Sequence, residues 1–249
     1  MKSLVVTVAG CASRFNQDTT SQTLKSLYYI DSPKNCLLYQ ILDKARDVEE
    51  IIVVGGFLYE ELCRFVHDNC DDFLGRIKTV YNPYYSEYGS GYSLIKGIEA
   101  VSPLTDEIIF VEGDLYFDAN DFSLVKSSPM AVITTNNETI RAHKAVVLYE
   151  DLEGGVHYVY DTGHQALSIH EPFLAIYNSG QIWKFVEIHR LKTAIKSLSP
   201  KQEQGTNLEI IQRYFDKLDK TQFVIIPLRI WNNCNTVDDY NNVYNRFLR

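Results

Sequence analysis

The chain has 249 residues, 45% of them hydrophobic, and a formal net charge of −8. That length and apolar content suffice for one large domain or two small ones with a substantial core. The acidic balance, with no lysine or arginine block, excludes a dedicated nucleic-acid or anionic-membrane surface but not a local basic pocket.

The first residues hold only a short apolar run that continues into a strand-like segment. No stretch reaches 18 consecutive apolar residues. Neither a signal-peptide core nor a membrane span is expected, and the location expected is cytoplasmic. The five cysteines (Cys11, Cys36, Cys63, Cys70, Cys234) are odd in number and lack paired zinc-ligand spacing. They read as free thiols of a reducing compartment. The histidines form no spaced metal pair, and no Gly-x-Ser-x-Gly or Cys–His arrangement points to covalent catalysis.

In chain order, Leu4 to Val8 reads as a buried β-branched strand. Ala9-Gly10-Cys11-Ala12-Ser13-Arg14-Phe15 follows it. Small residues there suit a tight βα turn, and equally a loop whose backbone N–H groups face phosphate oxygens. Arg14 could add a bidentate phosphate contact. Residues 16–23 are polar and loop-like, and Lys25 follows within reach of the same place. Asp31 to Asn35 is a turn by composition. Leu37, Leu38, Ile41, Leu42 and Ala45 recur at helical spacing. Ile51 to Val54 is a second short strand, stopped by Gly55-Gly56. A helix with Leu58, Leu62, Phe65 and Val66 inward follows, then a third strand from Ile77 to Tyr81. Alternating strands and helices imply a mostly parallel sheet with helices on both faces.

The segment from Tyr81 to Leu94 is a Pro- and Gly-containing loop rich in tyrosine, a residue the chain uses 17 times. A helix with Leu94, Ile95, Ile98 and Val101 inward leads to Ile108-Ile109-Phe110-Val111-Glu112-Gly113-Asp114. This apolar run reads as a central strand covered on both faces. Ligands of open α/β sheets bind beyond the carboxyl ends of the strands. Asp114 therefore suits two roles, a turn or helix cap and a hard oxygen ligand for Mg²⁺. Asn120 or Asp121 is expected to cap the next helix.

From Ala131 the pattern changes. Ala131–Thr134, Ala145–Tyr149, Val156–Tyr160, Leu167–Ile169 and Phe173–Tyr177 read as short extended segments of an antiparallel or mixed extension. Gln181 to Leu191 and Leu208 to Leu218 read as helices, and Phe223 to Pro227 as a late strand. Trp231 to Thr236 is a polar loop, with Thr236 capping a final helix. No repeat or linker interrupts the chain. The economical reading is a single domain, with residues 1–128 as one half and 129–249 as an elaborated second half.

Four motifs stand in order: Ala9-Gly10-x-x-Ser13-Arg14-Phe15, Lys25, the Tyr81-Asn82-Pro83 loop ending in Tyr92-Ser93-Leu94, and Gly113-Asp114-Leu115-Tyr116-Phe117. A fifth is Asn235-Thr236-Val237-Asp238-Asp239-Tyr240. Together they resemble nucleotidyltransferases built on a Rossmann-like GT-A sheet. The branch most similar is that of small bacterial cytidylyltransferases acting on phosphocholine and related headgroups. The resemblance implies a three-layer mixed, mostly parallel α/β sheet with an antiparallel acceptor-side extension. It implies a Mg²⁺-dependent enzyme, with Mn²⁺ as a substitute, that joins CTP to a phosphorylated small headgroup such as phosphocholine, a phosphonate or a phosphorylated amide. The products are a CDP-linked compound, used in surface polysaccharide or lipid decoration, and pyrophosphate. The partners implied are these small molecules, with the chain a monomer or homodimer.

The same resemblance assigns residues. Arg14, Lys25 and Asp114 are the catalytic set, and Asp114 and Asn235 hold the metal. Val8, Ala9, Gly10, Ala12 and Ser13 contact the nucleotide from the first loop. Tyr81, Asn82, Tyr88, Ser90, Gly91, Tyr92 and Ser93 border its base, and Gly113 lies beside it. Tyr116, Tyr160, Asp161, His170, Glu171, Asn178, Ser179 and Gln181 face the acceptor. Tyr158 and Tyr177 suit either an aromatic cage for a cationic headgroup or a β-segment core. Three positions depart from the family pattern. Ala12 replaces a glycine, Gly89-Ser90 replaces a common Asn-Asn, and Asn235 replaces an aspartate. Asn235 matches the sugar-phosphate uridylyltransferases of the same fold, and its amide oxygen can still bind Mg²⁺. A sugar-1-phosphate nucleotidyltransferase and a non-catalytic nucleotide-binding protein of this fold are the alternatives.

Overall fold

The computed structural model describes residues 1–142, 145–159 and 165–249. The elements run β1 (Lys2–Thr7), α1 (Leu37–Lys44), β2 (Glu50–Gly55), α2 (Tyr59–Asn69), β3 (Ile77–Tyr81), α3 (Ser90–Ala100), β4 (Glu107–Glu112), β5 (Leu115–Phe117) and α4 (Ala119–Ser127). They continue with β6 (Ala131–Asn136), β7 (Val147–Asp151), β8 (Val156–Val159), β9 (Phe173–Val186), α5 (Ile188–Lys196), α6 (Pro200–Glu203), α7 (Asn207–Phe215), β10 (Phe223–Leu228), β11 (Trp231–Asn233) and α8 (Val237–Val243).

The main sheet is ordered β10-β6-β9-β4-β1-β2-β3. β1 pairs in parallel with β2 and β4, β2 with β3, and β10 with β6, whereas β9 runs antiparallel to both β4 and β6. The β7–β8 hairpin is carried on the first half of β9. Successive side chains of a strand point to opposite faces, and the core divides accordingly. Leu4, Val6, Ile51, Val53, Ile109 and Val111 face α1, α2 and α4. Val5, Ile52, Val54, Ile108 and Phe110 face α3, α5 and α7. This is the expected three-layer, mostly parallel α/β architecture with an antiparallel addition. Among the described residues no helix is long and apolar enough to cross a membrane.

A third, smaller core decides where the functional elements meet. Phe15, Leu37, Cys234, Tyr240, Val243 and Tyr244 bury one another, which docks α8 against the segment after β1. Phe15, Tyr28 and Tyr240 interlock edge to face at 5.2 and 5.0 Å.

Four expectations need correction. Gln181 to Leu191 is not one helix: β9 continues to Val186, and α5 begins only at Ile188. Ile182 lies on one face of the sheet and Trp183 and Phe185 on the other, and the buried Lys184 among them leaves no apolar–polar alternation to betray a strand. The strand bends at Gln181, whose φ is +55°, and its register with β6 shifts there. Leu167–Ile169 forms no strand. The cap of α4 is Asp118, which accepts from the backbone N–H groups of Asn120 and Asp121, while buried Asp121 holds Arg229 at 2.8 Å. Trp231–Asn233 is a short strand paired with β5 rather than a free loop.

Lys184 on β9 is fully buried, pairs with Glu107 at 2.9 Å, and donates to the carbonyls of Lys126 and Ser128. Removing Lys184 leaves Glu107 with only the longer contact to Lys2 at 3.5 Å. Lys184→Ala should therefore cost about 3 kcal/mol in urea unfolding, near the lower end expected for a buried pair because Glu107 keeps some solvent contact.

Candidate active site

The order 3-2-1-4 along the parallel part of the sheet places a crevice between the carboxyl ends of β1 and β4, where connections leave in opposite directions. Gly113 closes β4 onto that crevice. Its N–H donates to the Thr7 carbonyl at 3.0 Å. A Cβ at this position would lie 2.3 Å from Val8 Cγ1 and 2.8 Å from the Thr7 oxygen. Only glycine lets the two strand ends approach this closely.

Asp114 follows, and the next residues carry it to the C-terminal loop. β5 pairs antiparallel with β11, and Cys234 N–H donates to the Asp114 carbonyl at 2.8 Å. That ladder delivers Asn235 to the side of Asp114. Asn235 is held from behind, because Asp239 accepts its N–H at 3.0 Å and closes a capping box with Thr236. Lys25 arrives from a 3-10 turn (Lys25–Leu27). Its Nζ lies 2.6 Å from Asp114 Oδ2 and 3.1 Å from Asn235 Oδ1. Arg14 Nη2 donates to the same Asn235 oxygen at 2.9 Å. The other carboxylate oxygen, Asp114 Oδ1, is buried and has no hydrogen-bond partner. The hydroxyl of neighbouring Ser26 is likewise buried and unpartnered. Unsatisfied buried polar atoms are rare and mark places where a ligand, ion or water belongs.

A hydrogen-bonded chain leads on from this point. Asn235 Nδ2 donates to Asn233 Oδ1 at 2.6 Å, and Asn233 Nδ2 to Gln181 Oε1 at 3.0 Å. Gln181 and Asn207 then donate to the two oxygens of Glu112, at 2.9 and 2.7 Å. Burial pushes the Glu112 carboxyl up to about 7, helped by the nearby Asp114, while the Asn207 hydrogen bond and the Lys25 charge pull the other way.

A cavity of about 300 Å³ opens beside these groups. Val8, Ala9, Gly10, Lys25, Asn82, Tyr88, Ser90, Ser93, Gly113 and Asp114 line it, together with Tyr85, Ser26 and Glu112. Asn82 is buried and fixed by a hydrogen bond to Ser93 Oγ at 2.9 Å. Tyr84, Tyr88 and Tyr92 pack on one another with centroids 4.7 to 5.4 Å apart. Ser90 to Ser93 belong to the first turn of α3 and not to the loop.

Other expected residues lie off this cavity. Ala12 has φ +51°, the left-handed region that favours glycine, and it packs toward Phe15 and Tyr240. Ser13 is exposed, Gly91 is packed under Thr206, and Tyr81 lies against Tyr59 at 5.0 Å. Tyr116 stacks on Phe247 at 5.0 Å with the Lys44 ammonium 4.8 Å above its ring. Asn178 bonds to Asn136, and Ser179 Oγ accepts the Gln181 N–H. Tyr158 is buried and accepts from Trp183 at 2.6 Å, so its ring belongs to the core. Tyr160 and Asp161 lie outside the described residues.

His170 and Glu171 line a second cavity of about 930 Å³, with Tyr149, Tyr158, Lys201, Gly205, Thr206 and Glu209. Glu171 accepts a hydrogen bond from the Tyr149 hydroxyl. The two cavities share a wall. Gly89 and Gly91 N–H groups donate to the carbonyls of Gln204 and Gly205, at 2.8 and 3.1 Å, and Asn207 N–H to Ser90 Oγ at 3.1 Å.

Glu112, Asn207 and Asn233 are site residues that the sequence reading leaves unassigned. Glu112 carries a local signal, a charged residue ending an apolar strand next to Gly-Asp. Asn233 stands in an asparagine cluster. Asn207 carries none, because only the fold brings it to Glu112, 95 positions away.

Among solved structures the chain is similar to the inositol-1-phosphate CTP transferase from T. maritima. The TM-score is 0.68 at 16% identity, over 96% of this chain and 91% of that one. It is also similar to a putative glucose-1-phosphate thymidylyltransferase from Bacillus anthracis, solved in complex with a sucrose. Here the TM-score is 0.69 at 14% identity, over 97% and 93%. The chain thus has the Rossmann-like α/β fold of these proteins. It belongs to the family described as a domain of unknown function (DUF6564), which matches residues 21–247. No curated protein matches it in sequence.

The shared wall yields a test. Gly89 has ordinary extended backbone, but an added Cβ would meet the Gly205 carbonyl oxygen at 2.3 Å. Gly89→Ala should cost about 1–3 kcal/mol in chemical unfolding through overpacking. Gly10→Ala, with open space around its Cβ, should leave stability within about 0.5 kcal/mol of wild type.

Proposed function

We propose that the chain is a metal-dependent nucleotidyltransferase that couples CTP to a phosphorylated small headgroup, with release of pyrophosphate. One observation carries this reading. Two oxygens of the expected metal pair, Asp114 Oδ2 and Asn235 Oδ1, converge on one point at the carboxyl end of β4, with Lys25 and Arg14 beside them. The donor set is hard oxygen only, as Mg²⁺ or Mn²⁺ demands. The unpartnered Asp114 Oδ1 leaves room for a further contact. Two protein oxygens leave the remaining positions of a hard cation to phosphate oxygens and water.

We assign the nucleoside to the smaller cavity. Asn82, Ser90 and Ser93 offer hydrogen bonds to a base, and Gly10 leaves its backbone open toward a phosphate. We assign the acceptor to the larger cavity, where Glu171, Glu209, His170 and Tyr149 suit a headgroup bearing an amine, amide or quaternary ammonium. Tyr160 and Asp161 remain part of this acceptor proposal. In the reaction an anionic acceptor oxygen attacks the α-phosphorus, a new P–O bond forms, and the bond to the β-phosphate breaks. The nucleophile is already ionised, so the chain needs no general base. Its residues position the phosphates and neutralise their charge. Lys25 and Arg14 take the nonbridging and leaving oxygens. When bound, the metal supplies further charge neutralisation between Asp114, Asn235 and the phosphates.

The test is a matrix of four nucleoside triphosphates against phosphorylated headgroups and sugar phosphates, read as pyrophosphate. CTP with a cationic or amide headgroup is expected to turn over fastest. Asp114→Ala and Lys25→Ala should each lower that rate by at least ~10². Near-wild-type turnover in either variant sinks the assignment. Binding of CTP without turnover across the whole matrix makes the chain a nucleotide-binding protein instead.

A further inference from the structure

We propose that the Lys25 ammonium occupies the cation position between Asp114 and Asn235 in the nucleotide-free chain, so that a metal enters there only together with the triphosphate that draws Lys25 away. The inference rests on the metal position proposed above and adds an order of binding to it.

The geometry has three parts. First, Lys25 Nζ touches both converging oxygens, at 2.6 and 3.1 Å. A divalent ion holding the same oxygens at about 2.0–2.1 Å would lie almost on top of the ammonium. Two cations at that separation repel strongly in a partly buried site. Side-chain exposures of 20% for Lys25 and 15% for Asp114 leave little water to screen them. Second, the one unused oxygen, Asp114 Oδ1, offers no escape. It belongs to the same carboxylate whose Oδ2 holds Lys25 at 2.6 Å, so a metal held there alone still meets the ammonium's charge. Third, Lys25 is free to leave. It lines the smaller cavity, and its flexible four-carbon stem presents rotatable donors to any phosphate that arrives there. A triphosphate supplies the anionic partner that Asp114 otherwise provides. Lys25 can then exchange one anion for another while the metal takes its former place. The same swap serves Arg14, which now spends a donor on Asn235.

The arrangement holds the site's two oxygens together without a metal and keeps a bare cation from settling in it. It predicts that nucleotide-free affinity for a divalent ion is limited by Lys25 and not by the ligand set. Mn²⁺ alone, followed by electron paramagnetic resonance without nucleotide or turnover, reads this directly. Lys25→Met and Lys25→Gln should each bind Mn²⁺ at least ~10-fold more tightly than wild type, because a unit positive charge has been removed beside the ion. Lys25→Arg keeps the charge and should stay close to wild type. Adding Asp114→Asn to Lys25→Met should abolish the gain. Two neutral variants of different polarity guard against the loss of either one to misfolding. Unchanged Mn²⁺ affinity in both, with binding still dependent on Asp114, overturns the Lys25 inference and leaves the metal reading standing. A gain that survives Asp114→Asn puts the ion elsewhere and overturns both.

Discussion

The hydrogen-bonded ion pair between Lys25 and Asp114, shared with Asn235, is the constraint on which the rest of the site depends. It joins positions separated by 89 and 210 residues. At an effective dielectric of about 20, unit charges roughly 4 Å apart attract by about 4 kcal/mol. Desolvation of both partners offsets much of that. The pair is therefore better understood as a device of position than of stability. It requires β1 and β4 to end side by side, which Gly113 permits by its lack of a Cβ. It also requires the C-terminal loop to return, which the β5–β11 ladder and the Cys234–Asp114 hydrogen bond enforce. The small core around Phe15 and Tyr240 then locks the returning segment to the first one.

Much of this frame was legible in the chain itself. The first four long strands and the helices between them declare their places through β-branched runs and 3.6-residue periodicity. The Gly113-Asp114 strand end and the Thr236 cap are likewise local features, each set by a few neighbouring residues. Where local signals stop, so does legibility. The second half of β9 has apolar residues on both faces, so neither period is visible, and helix and strand read alike. Asp121 has the composition of a helix cap, yet tertiary structure spends its buried carboxylate on the backbone N–H and guanidinium of Arg229 and leaves the cap to Asp118. Tyr116 keeps the chemistry of a binding residue and spends it on Phe247 and Lys44. The aromatic loop is partly a core of its own, because Tyr84, Tyr88 and Tyr92 satisfy one another.

The least legible residues are the amides. Asn207, Gln181 and Asn233 come from three distant elements and meet only around Glu112 and Asn235. Each is ordinary in its own neighbourhood. Together they form a relay in which Asn233 and Gln181 both donate and accept and Asn207 donates, so displacing one member leaves its neighbours unsatisfied in a poorly hydrated place. Glu112 is the anchor of that relay. Its two oxygens accept from two different elements, which ties β9 and α7 to the end of β4.

That tie gives the two cavities a mechanical relation. Gly205 and Thr206 line the larger cavity, and the carbonyls of Gln204 and Gly205 accept from the N–H groups of Gly89 and Gly91 beside the smaller one. Asn207, next in the chain, reaches both Ser90 and Glu112. Backbone and side-chain hydrogen bonds thus join the lining of one cavity to the lining of the other. The consequence extends to Asp114. Glu112 stands two positions before it, and the intervening Gly113 is clamped between Val8 and the Thr7 carbonyl. Strand end, relay and shared wall therefore form one hydrogen-bonded corner, onto which the long side chains of Lys25 and Arg14 reach from the first half of the chain.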